Sequence, residues 1–211
     1  MSIKIILFDF DGTIADTFDA LVNIANGLAG EFGFKPLTPE EIPIVKTLTA
    51  RQLIEKSGIS IFKIPPLLQR VKSDLRQYIE TLSPIIGIKE SLQQLKNDGN
   101  ILGILTTNSQ ENVRLFLHQH KMEYLFSHLY SESTIFGKNK ILKKFLSQHN
   151  WIPEEVIYVG DEARDIESSR KAHIKVIAVT WGFNAPEVLA KHNPDFLIHH
   201  PRELIEIIRQ I

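Results

Sequence analysis

Short apolar runs alternate with helical patterns along most of this chain, and that alternation constrains the fold more than any other feature. The runs occupy residues 3–8, 101–105, 156–159 and 176–179, with weaker examples at 128–131 and 196–198. They are continuous and rich in branched or bulky side chains, which is typical of strands buried on both faces.

Amphipathic segments of helical period separate most of these runs. They cover residues 88–97, 111–120, 140–149 and 164–172. The first ends at Asp98-Gly99, a helix stop signal, and the second follows Asn108-Ser109, either of which can cap a helix. The alternation from residue 85 onward predicts an α/β fold, a Rossmann-like parallel sheet with helices on both faces.

One long stretch, residues 16–84, breaks the alternation. Its pattern predicts helices at roughly 16–32, 39–57 and 64–81, punctuated by proline and glycine. A plain long crossover is one interpretation. The one we favour is a small helical cap, residues 16–84, inserted after the first strand of a core made of residues 1–15 and 85–211.

Charge, cysteine content and hydropathy limit the possible partners. The 211 residues include 24 basic and 25 acidic side chains, so the net charge is −1, and binding to nucleic acid is not expected. No apolar run approaches the ~20 residues that span a bilayer, so no membrane partner is expected. The chain has no cysteine, which excludes disulfides and fits a cytoplasmic protein. The sequence does not indicate an oligomeric state.

Two carboxylates follow the first predicted strand, in Asp9-Phe10-Asp11-Gly12-Thr13. Side chains of a strand repeat with period two, so Asp9 and Asp11 emerge on the same side. Carboxylates this close repel each other, and a hard cation such as Mg²⁺ relieves the repulsion through oxygen ligands. The alternative is a polar strand end followed by an Asp-Gly turn.

Polar groups also follow the later strands. Thr106-Thr107-Asn108-Ser109 precedes a helix, where hydroxyls and backbone N–H groups form a natural anion site, although a simple helix cap has the same pattern.

A second acidic pair follows the run at 156–159. Asp161 and Asp165 lie one helical turn apart, so both can face one site, although acidic residues also suit a helix N-terminus. Between these motifs, Phe136-Gly137-Lys138 lacks the upstream glycine and the Ser/Thr of a nucleotide-binding loop, which excludes that motif.

Together these features place acidic, hydroxyl and cationic groups at the C-terminal ends of successive strands, where open α/β sheets bind ligands. In this order they resemble the haloacid dehalogenase-like hydrolase superfamily, whose phosphatases carry DxDGT, a strand ending in Ser/Thr, a lysine and an acidic motif such as GDxxxD. The resemblance spans essentially the whole chain. The insertion resembles the helical-cap subclass, which includes phosphoglycolate phosphatase-like enzymes and β-phosphoglucomutase.

The resemblance implies Mg²⁺-dependent hydrolysis of a small-molecule phosphate ester through an aspartyl-phosphate. Asp9 would be the nucleophile and Asp11 the general acid and base. Thr107, or Thr106 one position earlier, would hold the phosphoryl oxygens, and Asn108 would contact them too.

A lysine and a metal group complete the implied site. Lys138, or Lys140 in its place, would neutralise charge between Asp9 and the phosphate, although Asn139 stands where related lysines are often followed by proline. The metal group would be Asp9, Asp11 and Asp161, with the Phe10 carbonyl and water. Asp165 would orient Lys138 or a metal-bound water.

Substrate choice would depend on the cap segment 45–51, which is similar in position to a substrate-reading loop of related capped enzymes. Lys46, Thr49 and Arg51 are its candidate substrate-binding residues, although Thr47 stands where some relatives carry glycine. The alternative is an ordinary helix start capped by Thr49. Trp181-Gly182-Phe183 also has a similar counterpart in some related sequences, or serves only for aromatic packing.

Two other functions fit the same motifs. A phosphomutase of the β-phosphoglucomutase type would return the phosphate to the substrate, and a non-catalytic relative would only bind a phosphate ligand. A response-regulator receiver does not fit, because its phosphorylated aspartate lies on a middle strand, and here the middle strand 101–105 ends in threonines.

Overall fold

One parallel sheet organises the molecule in the computed structural model, which describes residues 3–131 and 137–211. Its strands are β1 (Ile5–Phe8), β2 (Ile101–Thr106), β3 (His128–Ser131), β4 (Val156–Gly160), β5 (Lys175–Val179) and β6 (Phe196–Ile198). They lie in the order β3-β2-β1-β4-β5-β6, and each neighbouring pair is parallel. The order reverses between β1 and β4, which opens a ligand crevice at the C-terminal ends of these strands.

Helices connect the strands. They are α1 (Phe18–Phe32), α2 (Ile42–Lys46), α3 (Ala50–Ser57), α4 (Ile64–Leu75), α5 (Ile88–Asn97), α6 (Gln110–Gln119), α7 (Lys138–His149), α8 (Ala163–Lys171), α9 (Pro186–Lys191) and α10 (Glu203–Gln210). Short 3₁₀ turns lie at Ile61–Lys63, Ile79–Thr81, Glu123–Leu125 and Pro153–Glu155. Within the described ranges, no helix combines the length and apolarity needed to cross a membrane.

Both faces of the sheet are buried. Ile6 and Phe8 of β1 belong to one apolar cluster with side chains of α5, α6 and α10, whereas Ile5 and Leu7 belong to a second with side chains of α7 and α8. Alternate side chains of a strand point to opposite faces, so burial on both sides explains why β1 is apolar at every position. The predicted α/β sheet with helices on both faces is confirmed.

The helical segment between β1 and α5 leaves and rejoins the core at one place. The Asp16 backbone N–H donates to the Ser83 carbonyl at 3.0 Å, and the Ile85 N–H donates to the Ile14 carbonyl at 2.9 Å. The two connections therefore lie side by side, which supports a cap of residues 16–84. Its boundaries stay a prediction.

The continuous helix predicted at 39–57 was wrong in its extent, because the structure has α2 and α3 there. Thr49 is extended at the start of α3, and its Oγ1 accepts the Gln52 backbone N–H at 3.3 Å. The Gln52 side chain in turn accepts the Thr49 backbone N–H at 2.9 Å. This reciprocal capping box starts a new helix at Ala50.

Candidate active site

Three buried charges lie in contact where β1 and β4 end. Lys138 Nζ donates to Asp9 Oδ2 at 2.7 Å and to Asp165 Oδ1 at 2.6 Å. The exposed fractions of Lys138, Asp9 and Asp165 are only 1%, 2% and 0%. The other Asp9 oxygen accepts the Phe10 backbone N–H at 2.8 Å. The structure thus brings together the predicted nucleophile, its lysine and the residue predicted to orient that lysine.

Opposing electrostatic effects act on this triad. Burial lowers the pKa of Lys138, but the charges of Asp165 and Asp9 outweigh it, so the pKa lies above its ordinary value. Burial raises the pKa of Asp165 to about 6, although the Lys138 charge opposes the shift. Lys138 is therefore a fixed positive charge beside Asp9. Phe136, the first residue of the motif Phe136-Gly137-Lys138, lies outside the described residues.

Asp11 is held by an amide. Asn108 Nδ2 donates to its two carboxylate oxygens at 3.0 and 3.2 Å. Burial and then the charge of Asp9 raise the pKa of Asp11 to about 7. A carboxyl group with this pKa can both give and take a proton near neutral pH, as a general acid and base requires. The predicted contact of Asn108 with phosphate stays a prediction, and in the structure its Nδ2 donates to Asp11.

The two threonines after the β2 run differ in their surroundings. Thr106 is 1% exposed, and its Oγ1 accepts the Asn108 backbone N–H at 3.1 Å. Thr107 instead lines the cavity beside the site. This difference favours Thr107 as the hydroxyl that holds a phosphoryl group, and that role stays a prediction.

Asp161 is fully buried between two loops. Its Oδ1 accepts the Thr13 hydroxyl at 2.7 Å, and its Oδ2 accepts the Phe183 backbone N–H at 2.7 Å. A Cβ placed on either Gly12 or Gly182 would lie 2.3 Å from Asp161 Oδ2, and Gly12 also has a φ of +73°. Both glycines are therefore required for the loops to close on this carboxylate.

The acidic residues whose oxygens lie close together in the structure are not the same three residues as in the predicted metal group. Ligand atoms of Asp9, Glu162 and Asp165 all lie within 4.8 Å of one another. The sequence-based prediction groups Asp9 with Asp11 and Asp161. Asp9 belongs to both sets, and Glu162 is not among the predicted site residues.

Charge balance tests whether these residues suit a cation. Asp165 is paired with Lys138, and Glu162 with Arg164, whose Nε donates to it at 2.6 Å. Asp161 accepts hydrogen bonds from neutral donors and has no ion pair among residues 3–131 and 137–211. Burial, and then the charges of Glu162 and Asp165, raise the pKa of Asp161 well above its ordinary value. These oxygen donors and this excess of negative charge fit a hard divalent cation.

A cavity of about 180 Å³ adjoins the site on the side of the helical segment. Its lining residues are Asp11, Leu21, Ala50, Leu68, Val71, Lys72, Leu75, Thr107, Asn108, Glu162, Arg164 and Phe183. Polar groups come mainly from the strand ends, and apolar groups mainly from α1, α3 and α4.

A profile of the haloacid dehalogenase-like hydrolases matches residues 6–179, which include the strand ends just described. The chain belongs to this family. The resemblance inferred from the four motifs is confirmed.

Two named relatives of this haloacid dehalogenase-like hydrolase are similar over almost their full length. A phosphoglycolate phosphatase of Synechococcus elongatus is 34% identical over 206 residues, which covers 98% of this chain and 97% of the relative. An N-acetylmuramic acid 6-phosphate phosphatase of Pseudomonas aeruginosa is 28% identical, with coverage of 99% and 96%.

Solved structures share the fold. A predicted phosphatase from Clostridium acetobutylicum superposes with a TM-score of 0.86 at 18% identity and covers 100% of both chains. A predicted phosphoglycolate phosphatase from Haemophilus somnus gives a TM-score of 0.77 at 18% identity and covers 98% of both chains.

The predicted substrate residues of the cap segment lie in different places in this hydrolase. Lys46 Nζ donates to the Gly182 carbonyl at 3.2 Å, Thr49 caps α3, and the Arg51 side chain is 81% exposed beside Glu55. From this segment, Ala50 lines the cavity. The structure therefore does not gather Lys46, Thr49 and Arg51 around the cavity, and their role in specificity stays a prediction.

Besides Glu162, three polar residues that the structure places at or beside the site were given no role from the sequence. Arg164 lies within the acidic motif after β4, which was a usable signal. Asn112 lies four positions after Asn108, the spacing of neighbours on one helix face, and its Nδ2 donates to Asn108 Oδ1 at 3.1 Å. Lys72 gave no signal, because its position follows from the packing of α4 onto the core.

Proposed function

We propose that this enzyme is a Mg²⁺-dependent phosphatase that hydrolyses a small phosphate monoester of the phosphoglycolate type through an aspartyl-phosphate intermediate. As a phosphoric monoester hydrolase it would use Asp9 to attack phosphorus. The observation that carries the proposal is the buried contact of 2.7 Å between Asp9 and Lys138, with Asp11 two residues away. The relatives named as phosphatases support the substrate class.

The proposed reaction has two steps. An Asp9 oxygen bonds to phosphorus, the bond from phosphorus to the alcohol oxygen breaks, and Asp11 gives its proton to that oxygen. Asp11, now ionised, then takes a proton from the water that attacks the aspartyl-phosphate, and inorganic phosphate leaves. Asp9 and protonated Asp11 are thereby restored.

The neighbouring side chains would prepare these two carboxyl groups. Lys138 offsets negative charge when a phosphate approaches Asp9, and Asn108 fixes the direction of the Asp11 carboxyl group. The Thr107 hydroxyl, at the cavity wall, would donate to a phosphoryl oxygen. Positioning and charge neutralisation of this kind supply most of the rate enhancement in phosphoryl transfer.

The cation would be held by Asp9 and Asp161, with Asp11 as the third member of the predicted group. The charge balance supports Asp161 over Glu162, because Arg164 pairs with Glu162 whereas Asp161 has no ion pair within the described ranges. When bound, the cation supplies positive charge opposite the phosphoryl oxygens. The cytoplasm stays the predicted location, and neither nucleic acid nor a membrane is a proposed partner.

A turnover screen tests the proposal. The purified protein is mixed with small phosphate monoesters, with and without Mg²⁺, and release of inorganic phosphate is measured. We expect release from 2-phosphoglycolate that needs Mg²⁺ and is lost in Asp9→Asn. A mutase would instead convert a sugar phosphate to its isomer with little free phosphate, and a binding protein would bind esters without turnover. Release that is unchanged in Asp9→Asn would refute the proposal.

A further inference from the structure

The helical segment contributes one basic side chain to the cavity. Lys72 lies near the end of α4, and its Nζ is buried with no hydrogen-bond partner among the residues that the structure describes. The other basic side chain of the cavity wall, Arg164, is paired with Glu162. Within the described residues, Lys72 is therefore the basic side chain of the cavity wall that has no ion pair.

The backbone of Lys72 is tied to the catalytic side of the cavity. Asn112 Nδ2 donates to the Lys72 carbonyl at 3.0 Å and to Asn108 Oδ1 at 3.1 Å. Asn108 in turn donates to both oxygens of Asp11. A chain of hydrogen bonds thus joins the backbone of Lys72, through Asn112 and Asn108, to the predicted general acid Asp11.

An unpaired ammonium group at this position is unfavourable without a ligand. Burial lowers the pKa of Lys72, the charge of Asp11 opposes that shift, and the charge of Arg164 adds to it. A buried charge without a partner costs free energy that an anion in contact would recover. The remaining wall from the helical segment is apolar and consists of Leu21, Ala50, Leu68, Val71 and Leu75.

The ammonium group and the scissile phosphate belong to different ends of the site. Lys138 is paired with Asp9, where the phosphoryl group would bind, whereas Lys72 Nζ has no partner within the described ranges. Asp11 is the group that protonates the departing oxygen. Since Lys138 already supplies positive charge for the phosphoryl group, Lys72 is left for an anion on the alcohol part of the ester.

We propose that Lys72 binds a second anionic group of the substrate, a carboxylate on the alcohol part of a small phosphate monoester. This inference rests on the proposed phosphatase function and adds the residue that selects the ester. The alcohol part would lie in the cavity between α4 and the strand ends. Apolar neighbours strengthen the ion pair, because they exclude water from it.

Two esters that differ in one group test the inference. 2-Phosphoglycolate carries a carboxylate where ethyl phosphate carries a methyl group. We expect Lys72→Met to lower kcat/KM for 2-phosphoglycolate by about 10- to 100-fold, the usual effect of removing a hydrogen bond to a charged group. The loss for ethyl phosphate should be under about threefold, since this ester has no group for Lys72 to bind.

Matched variants separate charge from packing. Lys56→Met removes an exposed lysine from α3 and should change kcat/KM for neither ester. Lys72→Arg keeps the charge and should retain more 2-phosphoglycolate turnover than Lys72→Met. Equal losses of Lys72→Met on both esters, or no loss on either, would overturn the inference.

A binding measurement separates this inference from the proposed function. In an Asp9→Asn background, calorimetry compares the binding of the two esters before and after the further substitution Lys72→Met. We expect the ratio of the Kd for ethyl phosphate to the Kd for 2-phosphoglycolate to fall at least about tenfold on this substitution, because a contact between charged groups is lost. Binding that depends on Lys72, together with no turnover of either ester by the unsubstituted protein, would refute the phosphatase and support the carboxylate site. Turnover of both esters without any preference for the carboxylate would refute only the role of Lys72.

Discussion

The two sides of the cavity are built in different ways. On the sheet side, Asp9, Lys138 and Asp165 are buried and bonded to one another, so each charged group has its partner before any ligand arrives. On the helical side, Lys72 Nζ has no partner within the described ranges, and Phe62 on the turn that precedes α4 is 88% exposed. The three charges at the end of β1 and β4 are thus paired with one another, whereas the ammonium group on the helical side is not paired within the described ranges.

Residues 46–48 of the helical segment make hydrogen bonds to the loop after β5, and we call this contact the joint. The Ala185 backbone N–H donates to the Lys46 carbonyl at 2.8 Å, and Asn184 Nδ2 donates to the Leu48 carbonyl at 2.9 Å. Lys46 Nζ also lies 4.2 Å from the centre of the Phe18 ring. Polar groups of the segment 46–48 therefore connect the cap to the core. Lys72 Nζ makes no such contact within the described ranges.

The largest effect is expected on the sheet side. Asp9→Asn should lower kcat by at least about 1,000-fold, because an amide does not attack phosphorus, while the nearly isosteric side chain preserves the fold. Phosphate release and circular dichroism measure the two quantities. Asp19→Asn, on the exposed side of α1, is the control that should keep full activity. Trapping the phosphoryl group on a residue other than Asp9 would contradict the mechanism.

Removal of the cation should also stop turnover, and two variants locate its ligands. We expect excess chelator to abolish phosphate release and Mg²⁺ to restore it. Asp161→Asn should weaken Mg²⁺ binding at least about tenfold, and Glu162→Gln should weaken it less, because Arg164 already balances Glu162. Calorimetry with Mg²⁺ measures both. A larger loss in Glu162→Gln would assign the cation to the cluster of Asp9, Glu162 and Asp165.

A smaller effect is expected at the joint. Lys46→Met should lower kcat/KM about three- to tenfold for 2-phosphoglycolate and for ethyl phosphate alike, because the lost contacts are with Gly182 and Phe18. The sequence-based hypothesis of a substrate-reading loop predicts the opposite pattern, a larger loss on the preferred ester. The ratio of the two losses decides between these interpretations.

The smallest effect is expected on the outer surface of the cap. Arg51→Ala should change kcat/KM less than about twofold, because its side chain is 81% exposed and its partner Glu55 is exposed as well. Thr49→Ala should leave kcat/KM similar but lower the free energy of unfolding by about 1 kcal/mol through loss of the α3 cap. Steady-state kinetics and urea unfolding measure these changes. A tenfold loss of kcat/KM in Arg51→Ala would instead support the sequence-based prediction that Arg51 binds substrate.

Local sequence predicted the sheet side well, because its determinants are local. The strands after the cap are recognisable by their continuous apolar sequence, and Asp9 and Asp161 follow strands that are neighbours in register, with Phe8 opposite Val159. Their convergence follows from parallel pairing alone. The hydrogen bonds from Asn108 to Asp11 were not foreseen, since one backbone turn decides whether an amide faces a ligand or a carboxylate.

The helical side was less predictable, because long-range packing determines it. The break between α2 and α3 depends on the Thr49 capping box and on the contact of Leu48 with Asn184, which is far along the chain. Lys72 is one of 24 basic residues, and nothing in its neighbours distinguishes it from a solvated lysine. Burial of its Nζ arises only when α4 meets the core.

The closure of Gly12 and Gly182 on Asp161 limits how this sequence can be changed. Alanine at Gly12 or at Gly182 would place a methyl group 2.3 Å from the same oxygen, Asp161 Oδ2. Because the other position is already a glycine, no smaller residue there can make room for that methyl group. Gly27 and Gly30 of α1 are different, because a Cβ there would meet nothing within 4 Å, and alanine should raise helix stability by about 0.5–1 kcal/mol at each. A library made to stabilise this protein can therefore draw freely on the glycines of α1, while the two around Asp161 must stay as they are.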